Sequence, residues 1–247
     1  MRIGILGASG RVGTRLVEII VSNPGLELSG AWVSAASRQL GLPVAGGSVE
    51  YRTADASINS HSDVIIDFAT PEASLAFQEQ LGDKPVPIVI GTTGFSTEDH
   101  AALDKFAERR PILISGNFAR GFEAFRLAAM EFMRRMPAAE AAISEAYPAR
   151  KAPEPSGTSR LLSRQLQQAR TAAMGFAAPE PVIVVHREGH VAGTNEIRFD
   201  MGSAEAVLTY RVHALTAYAE GAIAAAEWLA DKPRPNGLYT PADCLKH

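Results

Sequence analysis

Short apolar runs alternate with amphipathic stretches along the first half of the chain. Residues 2–6 form an apolar strand that runs into Gly7-Ala8-Ser9-Gly10-Arg11-Val12-Gly13, and Leu16, Val17, Ile19 and Ile20 then recur at helical spacing. Asn23-Pro24-Gly25 ends that helix and residues 26–33 supply a second strand, completing a strand–helix–strand unit of roughly 30 residues. Residues 64–68, 87–91 and 112–114 read as three further buried strands, with helices predicted over 71–81 and 98–108. Strands alternating with helices at this spacing specify an α/β fold, a Rossmann-like doubly wound parallel sheet.

The rhythm changes after residue 118. A helix over 122–136, a strand ending at 145, a polar loop over 147–155, a helix over 156–173 and strands over 181–187, 195–201 and 205–213 predict a second α+β domain with a mixed sheet. An Ala-rich helix over 217–230 returns to the first pattern. The expected division is therefore 1–118 with 216–247 as a dinucleotide-binding domain, and 119–215 as a substrate-binding and oligomerisation domain. Hinges are expected near 118 and 216.

Composition narrows the class. With 46% hydrophobic and 21% charged residues the 247-residue chain has the makings of a globular core and is neither disordered nor collagen-like. A net charge of −3 provides no long-range field for nucleic acid or an anionic membrane, so neither is expected as a partner. The single cysteine, Cys244, excludes an intrachain disulfide framework and a cysteine zinc site, and fits a reducing, cytoplasmic setting. No apolar run approaches the ~18 residues of a membrane span, and the N-terminal residues read as a strand rather than a signal peptide.

The glycine turn departs from the usual G-x-G-x-x-G spacing, since Ala8 follows Gly7, but serves the same physics. Glycines let the backbone turn tightly and approach a pyrophosphate, whose charge the following helix N-terminus holds. The second strand ends Ala31-Trp32-Val33-Ser34-Ala35 without the carboxylate that usually binds the adenosine ribose. Ser34, Ser37 and Arg38, with Arg11, instead suit a 2′-phosphate, so NADPH is the expected cofactor, with NADH possible. Gly91-Thr92-Thr93-Gly94-Phe95 lies at a parallel strand's carboxyl end, where a flat ring can approach, and Thr70-Pro71 reads as a helix start.

The loop Glu145-Ala146-Tyr147-Pro148-Ala149-Arg150-Lys151 leads through Ala152-Pro153-Glu154-Pro155 to Ser156-Gly157-Thr158 at a helix N-terminus. Free amides there hold a carboxylate while Arg150 and Lys151 neutralise it, which predicts a small anionic substrate.

The ordered motifs Gly-Ala-x-Gly-Arg-x-Gly, Asp-Phe-x-x-Pro-Glu, Gly-Thr-Thr-Gly-Phe, Asn-Phe-x-x-Gly and Lys-x-x-x-Pro-Ser-Gly-Thr resemble the 4-hydroxy-tetrahydrodipicolinate (dihydrodipicolinate) reductases of lysine biosynthesis across essentially the whole chain. The resemblance implies a cytoplasmic homotetramer that reduces a cyclic unsaturated imine dicarboxylate with NAD(P)H. It implies that Gly7, Ala8, Ser9, Gly10, Arg11 and Val12 bind the cofactor. Ser34 and Ala35 would select between cofactors, and Gly91, Thr92, Thr93, Ser115, Gly116, Asn117 and Phe118 would flank the nicotinamide. Lys151 matches the catalytic lysine, Gly157 and Thr158 match residues that hold a substrate carboxylate, and Arg187 matches an arginine near the substrate.

The departures are chemical. Tyr147 and Pro148 stand where the family has two histidines, Pro153 replaces an aspartate, Leu215 an arginine and Asn195 a histidine. Tyr147 is then the candidate proton donor if Lys151 and Arg150 lower its pKa from about 10. The alternative donors are His186 and His190, which lack a third ligand to form a metal site. Three readings follow: the family reaction, reduction of another imine or enoate, or a nucleotide-binding sensor without turnover.

Overall fold

The structure is a computed structural model and describes residues 1–54, 61–149, 154–187 and 193–245. In chain order, the elements begin β1 (Arg2–Leu6), α1 (Arg11–Ser22), β2 (Glu27–Trp32), β3 (Tyr51–Arg52) and β4 (Val64–Asp67). They continue α2 (Pro71–Leu81), β5 (Ile88–Ile90), α3 (Thr97–Ala107), β6 (Pro111–Ile114), α4 (Phe122–Arg135) and β7 (Glu140–Tyr147). The last are α5 (Gly157–Met174), β8 (Val182–Arg187), β9 (Gly193–Asp200), β10 (Glu205–Val212), α6 (Thr216–Ala230) and β11 (Gly237–Tyr239). They form two compact units, Met1–Arg120 with Leu215–His247, and Gly121–Ala214.

The first unit is a parallel sheet in the order β11-β6-β5-β4-β1-β2-β3. Its central strands are mostly apolar because helices cover both faces, apart from Arg2 at the start of β1 and Asp67 at the end of β4. On one face α1 presents Leu16, Val17 and Ile20, and α6 adds Ala222, Ile223, Ala226 and Leu229. On the other, Phe77 and Leu81 of α2 meet Leu103 and Phe106 of α3. Helix starts are encoded locally: Thr70 caps α2 with proline at its first turn, and Ser96 and Asp99 form a capping box on α3. The two- and three-residue edge strands β3 and β11 carry too few residues for a sequence pattern. They exist through pairing with β2 and β6.

The second unit is a four-stranded mixed sheet, β10-β9-β7-β8, with β7 and β8 parallel and the other pairs antiparallel. Helices α4 and α5 cover one face, where Phe132 packs on Phe199 (ring centroids 4.5 Å) and Phe122 on Tyr210 (5.6 Å). The strand pleat sends Ile143, Glu145 and Tyr147 to this inner face, with Asn195, Ile197 and Phe199 beside them on β9. The opposite face leaves Val182, Val184 and Val207 exposed. β7 runs two residues past the expected end at 145: Tyr147 is the strand's last residue, paired with Arg187, and not part of the loop.

Candidate active site

The loops that follow β1, β4, β5 and β6 emerge from the carboxyl ends of four neighbouring parallel strands, with the reversal of strand order between β1 and β4. This is where open α/β sheets bind ligands. The turn after β1 is built by backbone approach: the Gly7 and Ala8 amides both donate to the Trp32 carbonyl (2.9 and 3.1 Å). Gly7 has φ +81°, and a Cβ on it would meet the Phe68 carbonyl oxygen at 2.3 Å; one on Gly13 would meet the Gly7 oxygen at 2.1 Å. No side chain would fit at either position. Helix α1 then opens with Gly10 as its cap, no side-chain cap bond and no acid in its first turn. Its first-turn amides have no intrahelical acceptor and the helix end is positive, which fits a pyrophosphate. Ser37 Oγ donates to Ser9 Oγ (3.3 Å), linking the glycine turn to the segment after β2, while Ser34, Ala35, Arg38 and Arg11 are exposed.

Several residues expected to flank a nicotinamide are committed to one another. Asp67, buried at the end of β4, accepts from Ser74 Oγ, from Thr92 Oγ (2.8 Å) and from the Ala69 amide (2.9 Å). Burial pushes its carboxyl above the usual range against the opposing pull of these bonds. Thr92 therefore positions the loop through its side chain. Gly91 is covered by the Phe68 ring, and Phe118 packs on Phe68 in the core (centroids 6.1 Å). Ser115 Oγ and the Asn117 backbone close a tight turn (3.0 and 3.1 Å), and Asn117 Oδ1 accepts from the Ala119 amide (2.9 Å). Thr93 and Gly116 lie close together in these loops: a Cβ on Gly116 would meet Thr93 Cγ2 at 3.9 Å.

In the second unit, a polar cluster occupies the inner sheet face at the N-terminus of α5. Glu145 is fully buried and pairs with Arg187 at 2.7 Å. The Ser156 amide donates to both carboxylate oxygens (3.2 and 3.0 Å) and Ser159 Oγ donates to one of them. Burial alone would raise the Glu145 pKa, but the hydrogen bonds from Ser156, Ser159 and Arg187 outweigh it and hold the carboxyl below its usual range. Ser156 also caps α5 by accepting from the Ser159 amide (3.2 Å). Gly157 and Thr158 follow in the first turn, whose amides have no intrahelical acceptor. A Cβ on Gly157 would meet nothing within 4 Å. Tyr147 lies beneath, its hydroxyl donating to Asn195 Oδ1 (3.4 Å) and its ring 5.7 Å from the Arg187 guanidinium carbon.

Among the described groups, burial pushes the Tyr147 phenol up, with the Ser156 and Thr158 hydroxyls and Arg187 opposing and Glu145 reinforcing the rise. Arg187 donates to Glu145, the Glu154 carbonyl (2.7 Å) and the His186 carbonyl (3.1 Å), so its charge is matched within the protein. His186 is one residue from Arg187 on a strand and lies on the outer, exposed face; the period of two removes it as a donor for Tyr147's face. Arg150, Lys151, Pro153 and His190 lie outside the described residues. Glu145 and Ser159 had no expected role, although a glutamate inside an apolar strand is a detectable signal. Among the described residues, no three His, Cys, Asp or Glu side chains gather as a metal site, and no helix is long and apolar enough to cross a membrane.

The open space at Gly157 gives a direct test. Gly157→Ala improves helix propensity and creates no clash, so folding stability should be unchanged or higher by about 0.5–1 kcal/mol. The KM for a carboxylate substrate should nevertheless rise, roughly 10-fold, if a ligand oxygen sits against that first turn. An unchanged KM removes the carboxylate from Gly157.

A doubly wound sheet with this glycine turn, joined to a second α+β unit carrying an anion-receptive helix start, defines an NAD(P)H-dependent oxidoreductase. Comparison with known proteins narrows the class. Residues 1–118 match the family described as "Dihydrodipicolinate reductase, N-terminus" and residues 121–245 match "Dihydrodipicolinate reductase, C-terminus". The chain belongs to the dihydrodipicolinate reductase family. Among its relatives, the 4-hydroxy-tetrahydrodipicolinate reductase of Archaeoglobus fulgidus is 31% identical over 260 residues, covering 100% of both chains. That of Bdellovibrio bacteriovorus is 33% identical, covering 99% of this chain and 96% of its own. Among solved structures, a dipicolinate-bound dihydrodipicolinate reductase from Paenisporosarcina sp. TG-14 superposes with TM-score 0.79 at 19% identity, covering 97% of each chain, and so shares the fold.

Proposed function

We propose that the protein reduces the cyclic imine dicarboxylate 4-hydroxy-tetrahydrodipicolinate at the expense of NADPH, as a step of lysine biosynthesis. The observation that carries this reading is the first turn of α5: Ser156 anchored on Glu145 at the helix start, followed by Gly157, where a Cβ would meet nothing within 4 Å, and Thr158. The bound nicotinamide supplies the hydride. The chain's own part is to hold the pyrophosphate on Gly7–Val12, to position the nicotinamide loops through Asp67, Thr92 and Ser115, and to take a substrate carboxylate on Gly157 and Thr158. Lys151 is assigned by resemblance to the imine nitrogen, as charge or proton source, and Arg150 to neutralising the substrate.

NADPH is preferred in this reading because no carboxylate follows β2 while Ser34, Arg38 and Arg11 stand exposed around the glycine turn. Copies of the chain would associate, as a tetramer, through the outer face of the second unit's sheet, where Val182, Val184 and Val207 are exposed; a monomeric mass by light scattering would refute that.

The test is NAD(P)H oxidation with freshly generated 4-hydroxy-tetrahydrodipicolinate. Turnover with a higher kcat/KM for NADPH than for NADH is expected. Turnover only with other imines or enoates would support a second reading, which Tyr147 and Asn195 in place of histidines favour. Cofactor binding without turnover on any of these would overturn both.

A further inference from the structure

The buried polar groups of the second unit form a chain with a defined direction. Tyr147 Oη donates to Asn195 Oδ1 (3.4 Å), Asn195 Nδ2 donates to Ser159 Oγ (3.0 Å), and Ser159 Oγ donates to the Glu145 carboxylate. Each hydroxyl has one proton, so the direction is set from the charged end. Glu145 is an acceptor only, which commits the Ser159 proton to it and leaves the Ser159 lone pairs for an N–H donor. Asn195 must therefore turn its amide nitrogen to Ser159 and its oxygen to Tyr147. The Tyr147 hydroxyl thus sits between Asn195 Oδ1 and the Ser156 and Thr158 side chains that begin α5. An amide has no titrating proton at neutral pH, so Asn195 itself passes no proton from Tyr147 to Ser159, while Ser156 Oγ, which also interacts with the Tyr147 hydroxyl, donates to Ser159 Oγ (3.3 Å).

We propose that Tyr147 is a positioning residue and not the acid of the reaction: with Asn195, Ser159 and the Glu145–Arg187 pair it holds the first turn of α5 as a receptor for a substrate carboxylate. This rests on the reading of α5 given above. Three further observations agree. Tyr147 is buried, with only 7% of its surface exposed. Its hydroxyl interacts with the Ser156 and Thr158 side chains, the residues that begin α5. Among the described residues, the charged groups that face it, Glu145 on its own strand and Arg187 on β8, are paired with each other. The proton must come from a group outside this chain of bonds, for which Lys151 is the sequence-based candidate.

The experiment is Tyr147→Phe, with Asn195→Leu as a second break in the same chain and NADPH binding as the control for folding. Pyridine-2,6-dicarboxylate affinity is measured by calorimetry, and kcat and KM are measured from about pH 6 to about pH 9. Loss of one hydrogen bond should weaken the dicarboxylate roughly 5-fold, raise KM in parallel, and leave kcat within about 3-fold with an unshifted pH profile. Asn195→Leu should move the same parameters in the same direction. A fall in kcat of ~10²-fold or more, with dicarboxylate affinity intact and a limb of the pH profile lost, would overturn the proposal and make Tyr147 the acid. Wild-type protein that neither binds the dicarboxylate nor turns over the imine would instead overturn the functional reading, and this proposal with it.

Discussion

Lys151→Ala is expected to lower kcat ~10²-fold or more while the NADPH dissociation constant stays within about 2-fold of wild type. The expectation comes from the position of Lys151 in Arg150-Lys151-x-x-x-Pro-Ser-Gly-Thr, where a cation precedes the anion-receptive start of α5. Reduction of an imine carbon leaves electron density on its nitrogen, and an ammonium there either supplies a proton or stabilises the charge as it develops. The cofactor is assigned to the glycine turn of the other unit, so truncating this side chain should leave cofactor binding unaffected. Fluorescence titration of NADPH beside steady-state turnover separates the two. A parallel loss of cofactor affinity would contradict the assignment.

Arg187→Met should cost about 3–5 kcal/mol of stability, on the order of 10 °C in Tm, because it leaves the buried Glu145 carboxylate without its counter-charge. The double variant Arg187→Met/Glu145→Gln should recover much of that loss, since replacing both partners removes the unpaired charge. The pH dependence gives an independent sign. In the wild type the Glu145 pKa is depressed, so its contribution to stability is complete above the unfolded value near ~4.3 and is lost as pH falls through the folded value. Without Arg187, burial opposes only the Ser156 and Ser159 bonds, the carboxyl pKa rises, and the variant's deficit should shrink as the pH is lowered. Thermal melts from about pH 4 to about pH 8 would show it; a deficit independent of pH would mean that Glu145 does not carry the destabilisation.

Most of the nucleotide-binding unit was legible because its information is local. The strands at residues 2–6 and 64–68 are short, largely apolar runs, the glycine turn is a contiguous string, and Thr70-Pro71 announces a helix at its cap. The edge strands β3 and β11 were not legible, since two or three residues acquire strand geometry only from a neighbour already in place.

The amino-acid order by itself determined the two-part α/β plan, the family, and the positions of the glycine turn and of the serine-capped start of α5, because each is written in contiguous residues whose backbone needs are intrinsic. The tertiary structure decided what the site's side chains do. Glu145, Ser159, Arg187 and Asn195 come from β7, α5, β8 and β9, and only the strand register brings them onto one face with Tyr147 while sending His186 to the other. A side chain's type sets its possible chemistry, but burial and the direction of its hydrogen bonds, which depend on residues distant in sequence, set which of those possibilities it can perform.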